Sequence, residues 1–369
     1  MPAGGALSLK DRIRDLTIEL AALDGVAGFE QPVVRRLLEL FGPLADTVAI
    51  DAFGNIVATR RGRRERPALM LSAHSDEIGG VVRSVEPTGL VRFDRLGIVP
   101  ESVLIGRRVR IRGHRGVTGI RAGHVQTPEE RLRVPPVRDL YIDLGYDSAA
   151  EVARLGIRAG DPIAFEAEMA TLANPDRLAG KALDNRLSCA LLVLLLERLG
   201  NVELDGVLHI VVTVQEEVGL RGATVITHSL NPDYAVVVDT LPTGDTPEVD
   251  FHRELAIRLG AGPVIPMVSG SNVFGPGNIL HPAIKRLLLD TAAREQIPVQ
   301  PALFTQSMSD LAAVHLARGG IPAGAINIPR RYAHSPVETA DLNDALHTLH
   351  LMEAVARDLG PHVALGFLD

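Results

Sequence analysis

A strand-like apolar run at residues 207–214 ends in Gln215-Glu216-Glu217-Val218-Gly219-Leu220-Arg221-Gly222, which sets two adjacent carboxylates at the mouth of a strand. Charged groups in such a place are costly unless a cation compensates them, and a bound metal ion is the usual compensation. Four other segments end a predicted strand or turn in the same way, on a histidine or an acid. They are Ala73-His74-Ser75-Asp76-Glu77, Lys181-Ala182-Leu183-Asp184-Asn185-Arg186, Val238-Asp239-Thr240 and Arg331-Tyr332-Ala333-His334-Ser335-Pro336. Two histidines and several acids are enough for a two-metal site.

The spacing suggests roles. His74 ends a strand, and Asp76, two residues on, points to the same side, where it can hold the other imidazole nitrogen. Asp184 lies between Lys181 and Arg186 at the start of a helix, so an N-cap with surface ion pairs is the more natural reading of that residue alone. Glu216 and Glu217 point to opposite faces if extended, which leaves one to bind a metal and the other to accept a proton. Asp239 ends the following strand, and His334 follows the last. Two divalent ions are neutralised by Asp184, Glu217, Asp239 and a bridging hydroxide. The nitrogen and oxygen donors, with no sulfur, suit zinc, cobalt or manganese. Two ions roughly 3.5–4 Å apart can share a water, lower its pKa toward ~7 and polarise a carbonyl. Glu216 would move the proton from that water to a leaving amine, which is amide hydrolysis.

These groups need a scaffold that brings strand ends together. Helical spacing predicts helices over residues 9–23, 32–41, 185–199, 222–229, 281–295, 309–318 and 341–359. Strand patterns occupy residues 47–51, 55–60, 68–73, 207–215, 234–239, 299–304 and 323–328. This alternation implies an α/β domain whose mixed sheet is sandwiched by helices, with ligands at the carboxyl edge of its strands. Between His74 and Asp184, 110 positions apart, the pattern changes to short β pieces at 89–93, 107–112, 117–122, 140–144 and 161–168, with one short helix at 148–155. A small β domain over residues 81–171 is therefore expected within a catalytic domain made of residues 1–80 and 172–369.

Composition narrows the class. The chain has 369 residues, 46% hydrophobic and 22% charged, with a net charge of −7. No basic field invites nucleic acid or an anionic membrane. The basic run at residues 60–64 lacks interleaved aromatics and is expected as a solvated loop. Cys189, the single cysteine, lies among aliphatic residues as a buried structural thiol, so no intramolecular disulfide is possible. No basic segment followed by an apolar core opens the chain, and no run approaches the ~18 apolar residues of a membrane span. A cytoplasmic protein is the expectation.

Residues 73–79, 181–186, 215–223, Asp239 with Gly244-Asp245-Thr246-Pro247, and 331–338 resemble, in order and rough spacing, the motifs of the tetrahedral, glutamyl aminopeptidase-like family, some of whose members carry an endoglucanase label. The resemblance implies that His74 and Asp239 hold one metal, Glu217 and His334 the other, with Asp184 bridging, Glu216 as general base and Asp76 behind His74. It implies a zinc-peptidase-like α/β fold with an inserted PDZ-like barrel for dimerisation, short peptide substrates, and a tetrahedral dodecamer built from dimers. The chain departs from the family pattern at Met308-Ser309-Asp310, at Leu259-Gly260-Ala261-Gly262-Pro263 and in a longer glycine-rich stretch at 269–277. These leave the preferred first residue open. Arg221, Arg330 and Arg331 are candidates to meet a substrate carboxylate. Two other readings are a glycoside hydrolase, disfavoured by the absence of tryptophan and 4% aromatic content, and a non-catalytic scaffold that keeps the metal site.

Overall fold

The computed structural model describes residues 7–270 and 277–368, so residues 271–276 of the glycine-rich stretch lie outside the described residues. Uninterrupted aliphatic runs form strands that are buried on both faces. Four of these lie side by side and parallel at the centre of a 12-stranded sheet, in the order Val207–Thr213, Ala68–His74, Tyr234–Pro242 and Ala323–Arg331. The register sets Thr213 beside His74 and Asp239 beside Asn327. All four strands therefore deliver their next residues to one edge. Antiparallel strands extend the sheet, Ile56–Arg61 and Thr47–Ile50 on one side, Glu338–Asp341, Arg177–Gly180 and Ala170–Thr171 on the other. Val264–Ser269 branches from Ala323–Arg331 and pairs with Gln300–Phe304.

Alternate residues of each central strand feed different cores. Leu69, Leu71, Val236 and Val238 pack with the helices Leu9–Ala21, Gln31–Phe41, Leu183–Leu199, Pro282–Arg294 and Leu342–Arg357. Met70, Ala235 and Val237 pack with the helices Arg221–Leu230 and Leu311–Val314. The helix Leu183–Leu199 is almost wholly apolar from Leu187 to Leu196 because it is enclosed there on every side, and only its last turn, with Glu197 and Arg198, reaches the surface. No helix among the described residues is long and apolar enough to cross a membrane.

Between the His74 and Asp184 segments, the strands Gly79–Val85, Val91–Leu96, Tyr141–Asp143, His114–Gly119, Arg108–Ile111 and Pro162–Phe165 close into a barrel in that order. Its own core includes Val82, Phe93, Ile111 and Ile142. The sequence pattern conceals the strand Gly79–Val85, whose Gly79-Gly80 start and Arg83-Ser84 pair dilute the apolar alternation. It also conceals Val264–Ser269, Arg177–Gly180 and Glu338–Asp341. The last is buried but nearly all polar, so only pairing with its neighbours makes it a strand. The helix expected over 309–318 contracts to Leu311–Val314. The strand expected to reach residue 215 stops at Thr213, because Gln215 turns left-handed at φ 56°.

The surface ion pairs expected around Asp184 are instead buried. Arg186 is 0% exposed and donates to the carbonyls of Ser75, Leu20 and Leu23, which ties the first helix to the sheet edge. Lys181 Nζ lies 2.8 Å from both Glu77 oxygens, and Glu77 also accepts the Gly25 N–H and lies 3.5 Å from Arg186. One buried carboxylate thus answers two buried cations. Glu77→Gln is expected to cost about 3–5 kcal/mol, because it takes the closest counter-charge from both cations and leaves Lys181 only the partly exposed Asp24 at 3.6 Å. A urea midpoint equal to that of the unaltered chain would contradict this account.

Candidate metal centre

Each strand end contributes to a single cluster. His74 Nε2 lies 3.1 Å from Asp184 Oδ1 and 3.6 Å from Asp239 Oδ1. His334 Nε2 lies 3.3 Å from Asp184 Oδ2 and 3.4 Å from Glu217 Oε1. Donor atoms of His74, Asp184 and Glu217 all fall within 4.8 Å of one another. Asp184 does not cap its helix. The residue before the helix is Ala182, in a left-handed conformation with no side-chain cap, and the Asp184 carboxylate turns into the cluster.

Glu216 and Glu217 sit in a turn and not on an extended strand. Asp76 makes that turn: its two oxygens accept the N–H groups of Glu216 and Glu217, at 3.0 and 2.9 Å. Asp76 Oδ1 is also 3.4 Å from His74 Nδ1, which has no hydrogen-bond partner of good geometry. One carboxylate therefore fixes an acidic pair after one strand and lies against a histidine at the end of another. The chain then enters a helix at Gly222, where a Cβ would fall 2.3 Å from the Val214 carbonyl oxygen. Only glycine fits so close an approach.

His334 is held at two points. Its N–H donates to Glu338 at 2.9 Å, and its Nδ1 lies 2.8 Å from the Ile98 carbonyl oxygen, which leaves Nε2 as the free ligand atom. Ile98 belongs to the inserted segment, and the adjacent Gly97, at φ 84°, would set a Cβ 3.4 Å from Glu217 Oε2. The barrel segment thus closes one side of the centre. Glu338 also accepts the Asp184 N–H and pairs with Arg330 at 2.6 Å. Arg330, 3% exposed, donates to Thr240 Oγ1 and makes a close ion pair with Asp184. The residue types alone gave no role to Glu338 or to the Ile98 carbonyl. Glu338 stands four residues after His334, but an acid at that distance is ordinary on a surface.

Burial dominates the electrostatics. It pushes the Glu217 carboxyl up to about 8, with Asp184 and Asp76 adding repulsion against the pull of the histidines. Burial also raises Glu216 well above the usual carboxylate range, and Glu217, Asp239 and Asp310 add to it. Asp310, beneath the cluster, accepts from Thr213 and is pushed up to about 7, chiefly by burial. Asp184 is the exception: burial opposes its charge, but Arg330, His334 and His74 hold it well below the usual range. His334 rises to about 9 despite burial, because Glu217 and Asp184 favour its cation. Acids crowded this closely out of water, with two imidazoles among them, form a donor set that fits divalent cations. Cys189 takes no part: burial pushes its thiol to about 12, and it donates to the His74 carbonyl.

Known proteins of solved structure share this architecture. Residues 54–351 match the M42 glutamyl aminopeptidase family. The chain is 34% identical over 364 residues to the glutamyl aminopeptidase of Lactococcus lactis subsp. cremoris, covering 96% of this chain and 97% of that protein. It superposes with a TM-score of 0.91 on a TET aminopeptidase from a marine sediment Thaumarchaeota archaeon, at 30% identity over 98% of this chain and 100% of that one. The TM-score is 0.82 to the Pyrococcus horikoshii TET1 peptidase, which can assemble into a tetrahedron or a large octahedral shell, at 28% identity over 94% and 100% of the two chains. With a family match over most of its length and a relative of this identity from end to end, the chain belongs to the M42 glutamyl aminopeptidase family.

Proposed function

We propose that this metal-dependent aminopeptidase removes the first residue of short peptides with two divalent ions and the Glu216 carboxylate. The observation that carries the reading is the division of Asp184: one oxygen faces His74, which also lies against Asp239, and the other faces His334, which also lies against Glu217. A carboxylate shared in that way suits a bridging ligand. His74 and Asp239 would hold one ion, His334 and Glu217 the other, and zinc, cobalt or manganese suits the donors. Such ions, when bound, supply Lewis acidity to the scissile carbonyl and lower the pKa of water to about 7. Glu216, buried at the floor of the cleft, accepts the proton of the attacking water and returns it to the leaving amine. Burial and the neighbouring acids raise its proton affinity, which suits a carboxylate that must take a proton from water and hold it until the amine leaves. Asp76 positions Glu216 through the backbone. A sugar substrate is disfavoured because Phe304 is the sole aromatic lining the cleft among the described residues.

The domain bounds 1–80 with 172–369 and 81–171 belong to this proposal, with the inserted barrel as a PDZ-like pairing module. Assembly into a closed shell such as that of the Pyrococcus horikoshii relative is the expected form, a tetrahedral dodecamer built from dimers.

Glu216→Gln should lower kcat about 10²–10⁴-fold with metal content unchanged; full activity in that variant would remove Glu216 as the base. Replacing residues 81–171 by a short linker should yield a small species on size exclusion, and a large particle would refute the pairing role. The metal-free protein should lose stability as pH rises. Glu217 titrates at about 8 in the fold against 4.5 unfolded, and His334 at about 9 against 6.5. In both cases the folded chain holds the proton more tightly, so the stabilisation is complete at low pH and is lost upward through the folded values. The Tm should therefore fall between pH 5 and 9, and zinc or cobalt should raise it more at pH 8 than at pH 5.5. A metal-free Tm that rises across this range would contradict the burial of these groups.

A further inference from the structure

The centre opens into a cleft of about 490 Å³ whose walls divide by chemistry. Every charged side chain that lines it belongs to the centre: His74, Asp184, Glu216, Glu217, Asp239, Arg330 and His334. Beyond Asp239 the same strand continues through Leu241 and Pro242. Pro266, Phe304 and Met308 come from the neighbouring strands and the loop that follows them. Leu241 is itself packed into a small apolar core with Leu255, Ile257 and Val264, so this wall is backed by hydrocarbon. The polar groups among the lining residues outside the centre, such as Asn327, Gln306 and Ser309, are neutral.

The three arginines that could have met a substrate carboxylate are committed elsewhere. Arg331 grips Asp245 through two hydrogen bonds at 3.0 and 2.7 Å. Arg221 is exposed, donates to Gln215 at 3.2 Å and does not line the cleft. Arg330 lines it, but its guanidinium is shared among Thr240, Glu338 and Asp184. An acidic side chain entering the cleft would find no free cation among the described residues. A basic one would find only carboxylates of the centre, and the reaction needs those. A charge placed against an apolar wall without a partner loses its water for nothing in return.

We propose that the cleft selects peptides whose first residue carries an uncharged, apolar side chain, seated against Leu241, Pro242, Pro266, Phe304 and Met308. This selectivity rests on the aminopeptidase reading above, and the experiment separates the two. The full-length protein, stripped of metal and reloaded with zinc or cobalt, is assayed on the p-nitroanilides of leucine, methionine, phenylalanine, glutamate and lysine. The apolar substrates should exceed the glutamyl and lysyl ones at least tenfold in kcat/KM. Met308→Arg should raise the glutamyl to leucyl ratio at least tenfold, while circular dichroism and metal content stay those of the parent. A glutamyl or lysyl substrate turned over faster than the leucyl one would overturn the selectivity and leave the aminopeptidase standing. An unchanged ratio in a folded Met308→Arg variant would place the first side chain elsewhere and overturn the assigned wall. No release from any of the five by metal-loaded protein would overturn the aminopeptidase reading and the selectivity with it.

Discussion

Asp184, Glu216, Glu217, Asp239 and Asp310 are all buried at one edge of a parallel sheet, where like charges repel with little water between them. Left to themselves they would take up protons, as the raised pKa values of Glu216, Glu217 and Asp310 show. The surrounding structure is arranged to keep them there. Arg330 lies against Asp184 and is itself neutralised by Glu338. The two histidines face acids on either side of the Asp184 carboxylate. The remaining imbalance is the electrostatic case for divalent cations, and it accounts for a cluster that a protein without them would have little reason to bury.

Holding such a cluster open requires rigid supports from several parts of the chain. Asp76 fastens the Glu216-Glu217 turn through two backbone N–H groups, and Glu338 fastens the backbones of Asp184 and His334. Behind them, the Glu77, Lys181 and Arg186 group locks the first helix and the Asp184 segment against the sheet. The inserted barrel is not an appendage, since the Ile98 carbonyl meets His334 and Gly97 abuts Glu217. A change in how the barrel sits would therefore be felt at His334 and Glu217, the proposed ligands of one ion. The proposed assembly through the barrel would thereby have a physical route to the cluster.

The residue types and their order determined a good deal. Aliphatic runs ending in acids or histidines define the central strands and name the side chains of the cluster, because a strand buried on both faces must be apolar until its end. The change of pattern between His74 and Asp184 marked a separate β-rich unit for the same reason. What remained hidden has equally physical causes. The strand Glu338–Asp341 carries no apolar signal, and Gly79–Val85 has its signal diluted by glycine and polar residues, so both exist only through pairing. Whether Asp184 caps a helix or turns into the cluster, and whether Lys181 and Arg186 lie in water or in the core, depends on neighbours more than a hundred residues away, and Arg331 is taken up by Asp245, 86 residues before it. Sequence spacing reports only local periodicity, whereas burial and charge compensation are properties of the assembled chain.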